Sequence, residues 1–441
     1  MIRAVDREEP TERRRIWAWA LYDWGNSAFA TTVVAGFFPV FFKDYWSAGV
    51  DAAQSTFQLG LAVSVASLVV AMLAPALGVA LDQGASRRRL LGICASVSIV
   101  LTATLAVVPE GFALPAIVCY SIAFASWLLS IVVYDSMLIL ICKSEQFDRV
   151  SALGYAVGYL GGGLLFSLNV AMVLMPTRFG LADATSAVKL SFLSVAVWWL
   201  VFSIPLFRVL PPTTPSGSPS LLQAWSRGLN EVRGTFRELR QHRYAFGFLL
   251  AFWLYIDGVD TVYTMAVDIG KGLGFSTADL ISALLLVQFV AFPCAWLFGV
   301  LAGRVGAKTM LLLGISVYLL VTILATQVTS TPIPIGGFQV SQFHLLALLV
   351  GTAQGGVQAL SRSLFSRLIP AERAGEFFGF YNLIGRFAAI LGPLLIAIVT
   401  RWTSDPRLGF LSVGALLIAG GALLWRLDVG AGIEAARRDR G

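Results

Sequence analysis

The stretch TFQLGLAVSVASLVVAMLAPALGVAL, residues 56–81, carries no charged side chain from end to end. As a helix rising 1.5 Å per residue it is about 39 Å long, enough to cross a hydrocarbon layer of about 30 Å. It stops at Asp82, and Arg87, Arg88 and Arg89 follow before the next apolar run begins. The same alternation of apolar run and short polar loop continues along the chain. Further runs lie near 16–42, 89–108, 113–142, 150–175 and 187–209, then near 245–268, 278–303, 308–328, 341–366, 375–400 and 408–427. The sequence therefore predicts an all-α membrane protein of twelve transmembrane helices.

Composition agrees with the runs. Of 441 residues 57% are hydrophobic and 13% charged, about half the charged fraction of a soluble domain. So apolar a chain has lipid as the solvent for most of its surface. The first run, Trp17 to Phe42, is too long for the apolar region of a signal peptide and contains Asp23 and Asn26, so it reads as an uncleaved spanning helix. Cys94, Cys119, Cys142 and Cys294 lie in apolar runs without paired spacing, and His242 and His344 are the two histidines. That supply of ligands argues against a metal site, a cofactor or a disulfide framework.

The net charge of +7 is distributed over loops between apolar runs, which argues for topology-setting charge and against nucleic acid as a partner. Taking alternate loops, one side collects about 24 of the 32 basic residues, and the N-terminus, Arg87 to Arg89 and the Arg437-Arg438 tail belong to it. By the positive-inside rule both termini are cytoplasmic. The long loop on that side divides the chain into a first half (1–209), a linker (210–244) and a second half (245–441). The linker opens with Pro211-Pro212 and Pro215, then places Leu222, Trp225, Leu229, Val232, Phe236 and Leu239 at helical steps beside Arg227, Arg233, Arg237 and Arg240. It reads as a flexible segment followed by an amphipathic helix, lying on an anionic inner leaflet or docked on the bundle.

The halves repeat each other. Leu21-Tyr22, Gly25 and Thr31 of span one recur as Leu254-Tyr255, Gly258 and Thr264 of span seven at the same spacing. The loop after span two holds Gly78 and Asp82, and the loop after span eight holds Gly299, Arg304, Gly306 and Lys308. Matches in common order across two six-span sets indicate a parallel duplication.

Polar side chains stand where lipid would be. Asp23, Asp135, Asp257, Asp260, Arg362 and Arg386 fall within spans, and each facing lipid would cost about 2.5–3.5 kcal/mol. They must face one another or a wet cavity. Tyr22, Asp23 and Asn26 share a turn; Asp257 and Asp260 are three apart; Gln354, Gln358 and Arg362 run at four-residue steps, as do Asn382 and Arg386. Such stripes line a polar pathway, or lock helices together as static pairs. In the loop after span two, Asp82 can accept from helix N-terminal amides while Arg87 and Arg88 sit at the leaflet surface.

Gly78-x-x-x-Asp82 with its following arginines resembles the loop signature of the major facilitator superfamily, which implies an inner-gate role for Gly78, Asp82, Arg87 and Arg88, and for Gly299, Arg304, Gly306 and Lys308 in the second copy. The arginines come later than in that signature, and Gly303 stands where an acid is common. Tyr22-Asp23-Trp24-Gly25-Asn26-Ser27-Ala28-Phe29, residues 355–363, Glu376-Phe377-Phe378-Gly379-Phe380-Tyr381-Asn382 and Gly392-Pro393 resemble the branch that contains the fungal vacuolar amino-acid effluxer of autophagy and its bacterial relatives. The resemblance covers nearly the whole chain. It implies two pseudo-symmetric six-helix halves, an amino acid or related metabolite as substrate, outward movement and a place in a bacterial inner membrane.

The expected mechanism is alternating access about a site between the halves, with protons as the coupling ion. Asp23 and the Asp257/Asp260 pair are candidates for carrying the proton, and Arg362 and Arg386 for holding a substrate carboxylate or neutralising these aspartates. Gln354, Gln358, Asn26 and Asn382 would supply neutral hydrogen bonds. The rivals are a uniporter with structural aspartates and an integral-membrane transferase. The latter would need a large polar loop or an Asp-rich metal motif, so an enzyme is not expected.

Overall fold

The computed structural model describes residues 11–211, 239–387 and 390–438. Most of the expected linker helix and of the proline-rich segment before it lie outside the described residues. The described residues are helical almost throughout: α1 (Glu12–Trp46), α2 (Ala52–Asp82), α3 (Arg87–Leu105), α4 (Ala113–Ser136), α5 (Phe147–Leu174) and α6 (Ala184–Val209) precede the linker. After it come α7 (Arg243–Gly272), α8 (Thr277–Val305), α9 (Ala307–Ala325), α10 (Gln342–Leu368), α11 (Ala374–Phe387), α12 (Leu391–Thr403), α13 (Arg407–Arg426) and α14 (Val429–Arg438). Between α9 and α10 a small hairpin pairs β1 (Ile333–Ile335) with β2 (Phe338–Val340), turning at Gly336-Gly337, both at positive φ. Glycine has no β-carbon to oppose that turn.

Among the described residues eleven helices are long and apolar enough to cross a membrane. Each falls on an expected run. The remaining run, near 375–400, is divided into α11 and α12. Pro393 explains where the second piece begins: it has no N–H to extend a helix from before, and it restricts Gly392 ahead of it. At the third position of α12 its missing donor lies in a first turn that has no intrahelical acceptor anyway. The first span also departs from a plain helix. It winds as π-helix over Phe29–Phe37 and Phe42–Trp46, wide turns that occur often at functional sites.

Buried apolar side chains form two main clusters. One runs from Trp19 to Leu206 and the other from Leu239 to Leu424. The repeat noted in the sequence is a repeat of contacts. Tyr22 donates to Ser130 Oγ in α4 at 3.1 Å, and Tyr255 shares a 2.7 Å hydrogen bond with Ser361 Oγ in α10. Gly25 lies against Trp199 and Phe202 of α6, and Gly258 against Leu417 of α13. Spans one and seven thus meet their fourth and sixth partners through the same residue types.

A candidate site at the junction of the halves

Arg362 of α10 reaches out of its own half. The residue is 1% exposed, and its side chain enters a socket of the first half. Nη1 donates to Asp135 Oδ1 of α4 at 2.9 Å, Nε to Ser151 Oγ of α5 at 2.9 Å, and Nη2 to the Ser151 carbonyl at 3.0 Å. The guanidinium stacks over Trp19 and Tyr155, 4.7 and 4.4 Å from the ring centroids, and also faces Tyr134. An arginine suits this place because its flat, weakly hydrated fork can bond at the edge and stack on its faces. Asp135 Oδ2 accepts from Asn382 Nδ2 of α11 at 3.2 Å, so a second side chain of the second half ends on the same carboxylate. Asp135 and Arg362 are thus buried against each other.

Toward the end of the bundle that carries the basic loops, further bonds cross the junction. Asp148 of α5 accepts from Arg367 Nη2 at 2.8 Å and from Ser363 Oγ at 2.6 Å. Asp82, the last residue of α2, accepts from the backbone N–H groups of Gly375 and Glu376 at 2.8 Å each, with Arg87 3.6 Å away. Those amides begin α11 and have no acceptor within their own helix, so a carboxylate from the other half satisfies them. Gly78 and Gly375 let the two backbones touch there: a β-carbon on Gly78 would lie 2.2 Å from the Gly375 carbonyl oxygen. Gly299 does the same on the other seam, where a β-carbon would fall 2.3 Å from that of Ala152.

Nearer the middle of the membrane, α10 presents Gln354 and Gln358. Tyr159 of α5 donates to Gln358 Oε1 at 2.8 Å across the junction, and Tyr318 of α9 donates to Gln354 Oε1 within the second half. Asp23 is 8% exposed and accepts from Asn26 Nδ2 at 3.1 Å, while Asn26 Oδ1 accepts from Trp127 Nε1 of α4 at 3.1 Å. Tyr22, by contrast, points into the core of its own half, against Ser130, Tyr134 and Trp199.

Asp257 is directed at the divided span. Its carboxylate accepts from Leu391 N–H at 3.0 Å, Gly392 N–H at 2.8 Å and Thr261 Oγ1 at 3.2 Å, capping the start of α12. Asp260, one turn on, is partly exposed, and its carbonyl accepts from Thr264. Arg386 belongs to α11, but its side chain lies outside the described residues. In the loop after α8, Arg304 and Gly306 are exposed, and Lys308 donates to the Trp425 and Leu427 carbonyls of its own half at 2.6 and 2.8 Å. Gly303 faces open space where Asp82 of the first half finds a helix.

Sequence reasoning passed over Trp19, Trp127, Asp148, Ser151, Tyr155, Tyr159 and Arg367. The aromatic residues among them look like ordinary span content, and no spacing rule links Ser151 to Arg362, 211 positions away. Asp148 and Arg367 carried a usable signal, because each is a charge at the edge of a span.

The family model described as vacuole effluxer Atg22 like matches residues 48–437. The MFS-type transporter YxiO of Bacillus subtilis is 36% identical over 410 residues, covering 92% of this chain and 93% of its own. Autophagy-related protein 22 of Yarrowia lipolytica is 28% identical over 332 residues, 67% of this chain and 52% of the longer fungal protein. In fold the chain is similar to the human organic anion transporter MFSD10 (TM-score 0.68, 16% identity, 94% of this chain and 100% of that one). It is likewise similar to the proton:xylose symporter XylE (TM-score 0.65, 15% identity, 94% of each chain). A near-full-length family match, a relative above one-third identity and a shared twelve-span, two-half fold agree, and the chain belongs to the Atg22-like branch of the major facilitator superfamily of transporters.

Proposed function

We propose that the protein is a secondary transporter that exports an amino acid or similar small zwitterion by proton-coupled alternating access. The observation that carries the reading is the seating of Arg362 in a socket of the opposite half, below the Tyr159–Gln358 bond and above the Asp148 and Asp82 contacts. Those bonds hold the basic end shut, and a substrate can pass that end only if they part together. The charge rule makes that end cytoplasmic, with both termini on the same side, and the Bacillus relative supports a bacterial cell membrane.

Asp23 is the residue we assign to coupling. Asp135 is committed to Arg362 and Asp257 to α12, whereas Asp23 has Asn26 as its neighbour on the same helix. Gln354 and Gln358, oriented through their carbonyl oxygens by tyrosines, would offer amide donors to a substrate carboxylate. The family's description as vacuole effluxers supports efflux from a compartment as the mode of transport.

The test is transport in proteoliposomes with an imposed pH gradient, using a panel of amino acids, sugars and nucleosides. Uptake of an amino acid into everted vesicles, driven by the gradient and lost in Asp23→Asn while gradient-free counterflow continues, is the expected result. Gradient-independent transport by the parent protein would make it a uniporter. That second reading is favoured by the structural employment of Asp135 and Asp257.

A further inference from the structure

On the outer surface of the first half a groove of about 540 Å³ runs between α3 and α6, lined by Arg88, Arg89, Gly92, Ser96, Val97 and Phe207. Its shape follows from spacing. Arg88, Gly92 and Ser96 stand four residues apart on one face of α3, so a notch without bulky side chains continues away from an arginine. The Phe207 ring borders the notch, 3.4 Å from where a Gly92 β-carbon would lie. Arg89 and Val97 begin and end the adjoining stripe, which is aliphatic beyond its arginine.

Both arginines occupy the first turn of α3, where the helix dipole adds to their positive potential. Among the described residues neither meets a carboxylate at ion-pair distance, because the local acid, Asp82, is taken by Arg87. Arg88 donates to the Leu210 carbonyl at 3.3 Å, which holds its side chain over the groove mouth. A soluble anion would use the arginines and leave the apolar length of the groove unfilled. A molecule anionic at one end and hydrocarbon beyond it uses both, and the groove opens to the side where lipid lies.

We propose that this groove is a binding site for an anionic phospholipid, its phosphate held by Arg88 and Arg89 and one acyl chain laid along Gly92 and Ser96 against Phe207. Its test reads lipid retention and not transport, so its failure leaves the transport reading untouched.

The purified, delipidated full-length protein is to be incubated in detergent with equal amounts of phosphatidylglycerol and phosphatidylcholine, and bound lipid counted by native mass spectrometry. Retention of phosphatidylglycerol in about fivefold or greater excess is expected, since each arginine near a headgroup contributes roughly one such factor. Arg88→Gln with Arg89→Gln should bring the two lipids to parity. Ser96→Phe, which fills the groove and keeps both charges, should do the same, and Arg437→Gln with Arg438→Gln should change nothing. Equal retention by the parent, an undiminished preference in Ser96→Phe, loss of preference in the Arg437/Arg438 control, or displacement of the lipid by millimolar inorganic phosphate would each overturn the assignment.

Discussion

Two aspartates cap the two helices that make up the eleventh crossing, and they differ in where they come from. Asp82 satisfies Gly375 and Glu376 at the start of α11 and belongs to the first half. Asp257 satisfies Leu391 and Gly392 at the start of α12 and belongs, like α12, to the second. The chemistry is the same, a carboxylate accepting amides that have no partner within their helix. Its consequence is not. A cap within one half is a brace that can survive any movement of the halves, while a cap between halves must break whenever they part at that end. The close glycine contact at Gly78 and Gly375 makes the second kind steep, because two touching backbones admit no partial separation without losing their packing.

Four substitutions can break or sharpen that contrast, with melting temperature as the readout for bracing. The distance between spin labels on exposed Glu145 and Glu372, one in each half, reports on opening at the basic end. Arg362→Gln should have the largest effect on both, since removing one partner of a buried pair costs about 3–5 kcal/mol and leaves Asp135 charged in the socket. Asp257→Ala should lower stability by about 2–3 kcal/mol, as charged caps do, with the label distance unchanged. A widened distance in that variant would erase the distinction between brace and latch. Asp82→Ala should do the reverse, shifting the closed-to-open ratio about fivefold for a loss near 1 kcal/mol while melting hardly moves. Lys308→Gln should alter stability by about 0.5 kcal/mol or less and leave the distance alone, because its bonds stay within one half. If it opened the basic end, the loop after α8 would be a second latch after all.

The parts of this arrangement that a sequence can display are those set by local period. Twelve apolar runs, the duplicated Tyr22/Tyr255 and Gly25/Gly258 pairs, and the misplaced charges could all be read directly, because helical repeat and the cost of charge in lipid act over a few residues. What pairs with what could not. Asp135 and Arg362 are 227 positions apart, and only the docking of two halves brings them together. Asp257 illustrates the limit well. Its spacing from Asp260 suggested a proton-sharing pair, whereas its carboxylate faces the start of α12, a helix end that an uninterrupted apolar run at 375–400 concealed. The signal was there in Gly392-Pro393, which reads as a break once a partner for the freed amides is in view.

The aromatic lining of the Arg362 socket gives the protein a built-in optical reporter. Trp19, Tyr134 and Tyr155 all stay with the first half, while the cation stacked on them departs with the second. An indole that exchanges a guanidinium for water changes its emission maximum and its quenching. Trp19 would therefore signal each excursion of the gate without any attached dye. With 12 tryptophans in the chain, the difference spectrum against Trp19→Phe isolates that signal, and its time course would follow turnover in an unlabelled transporter.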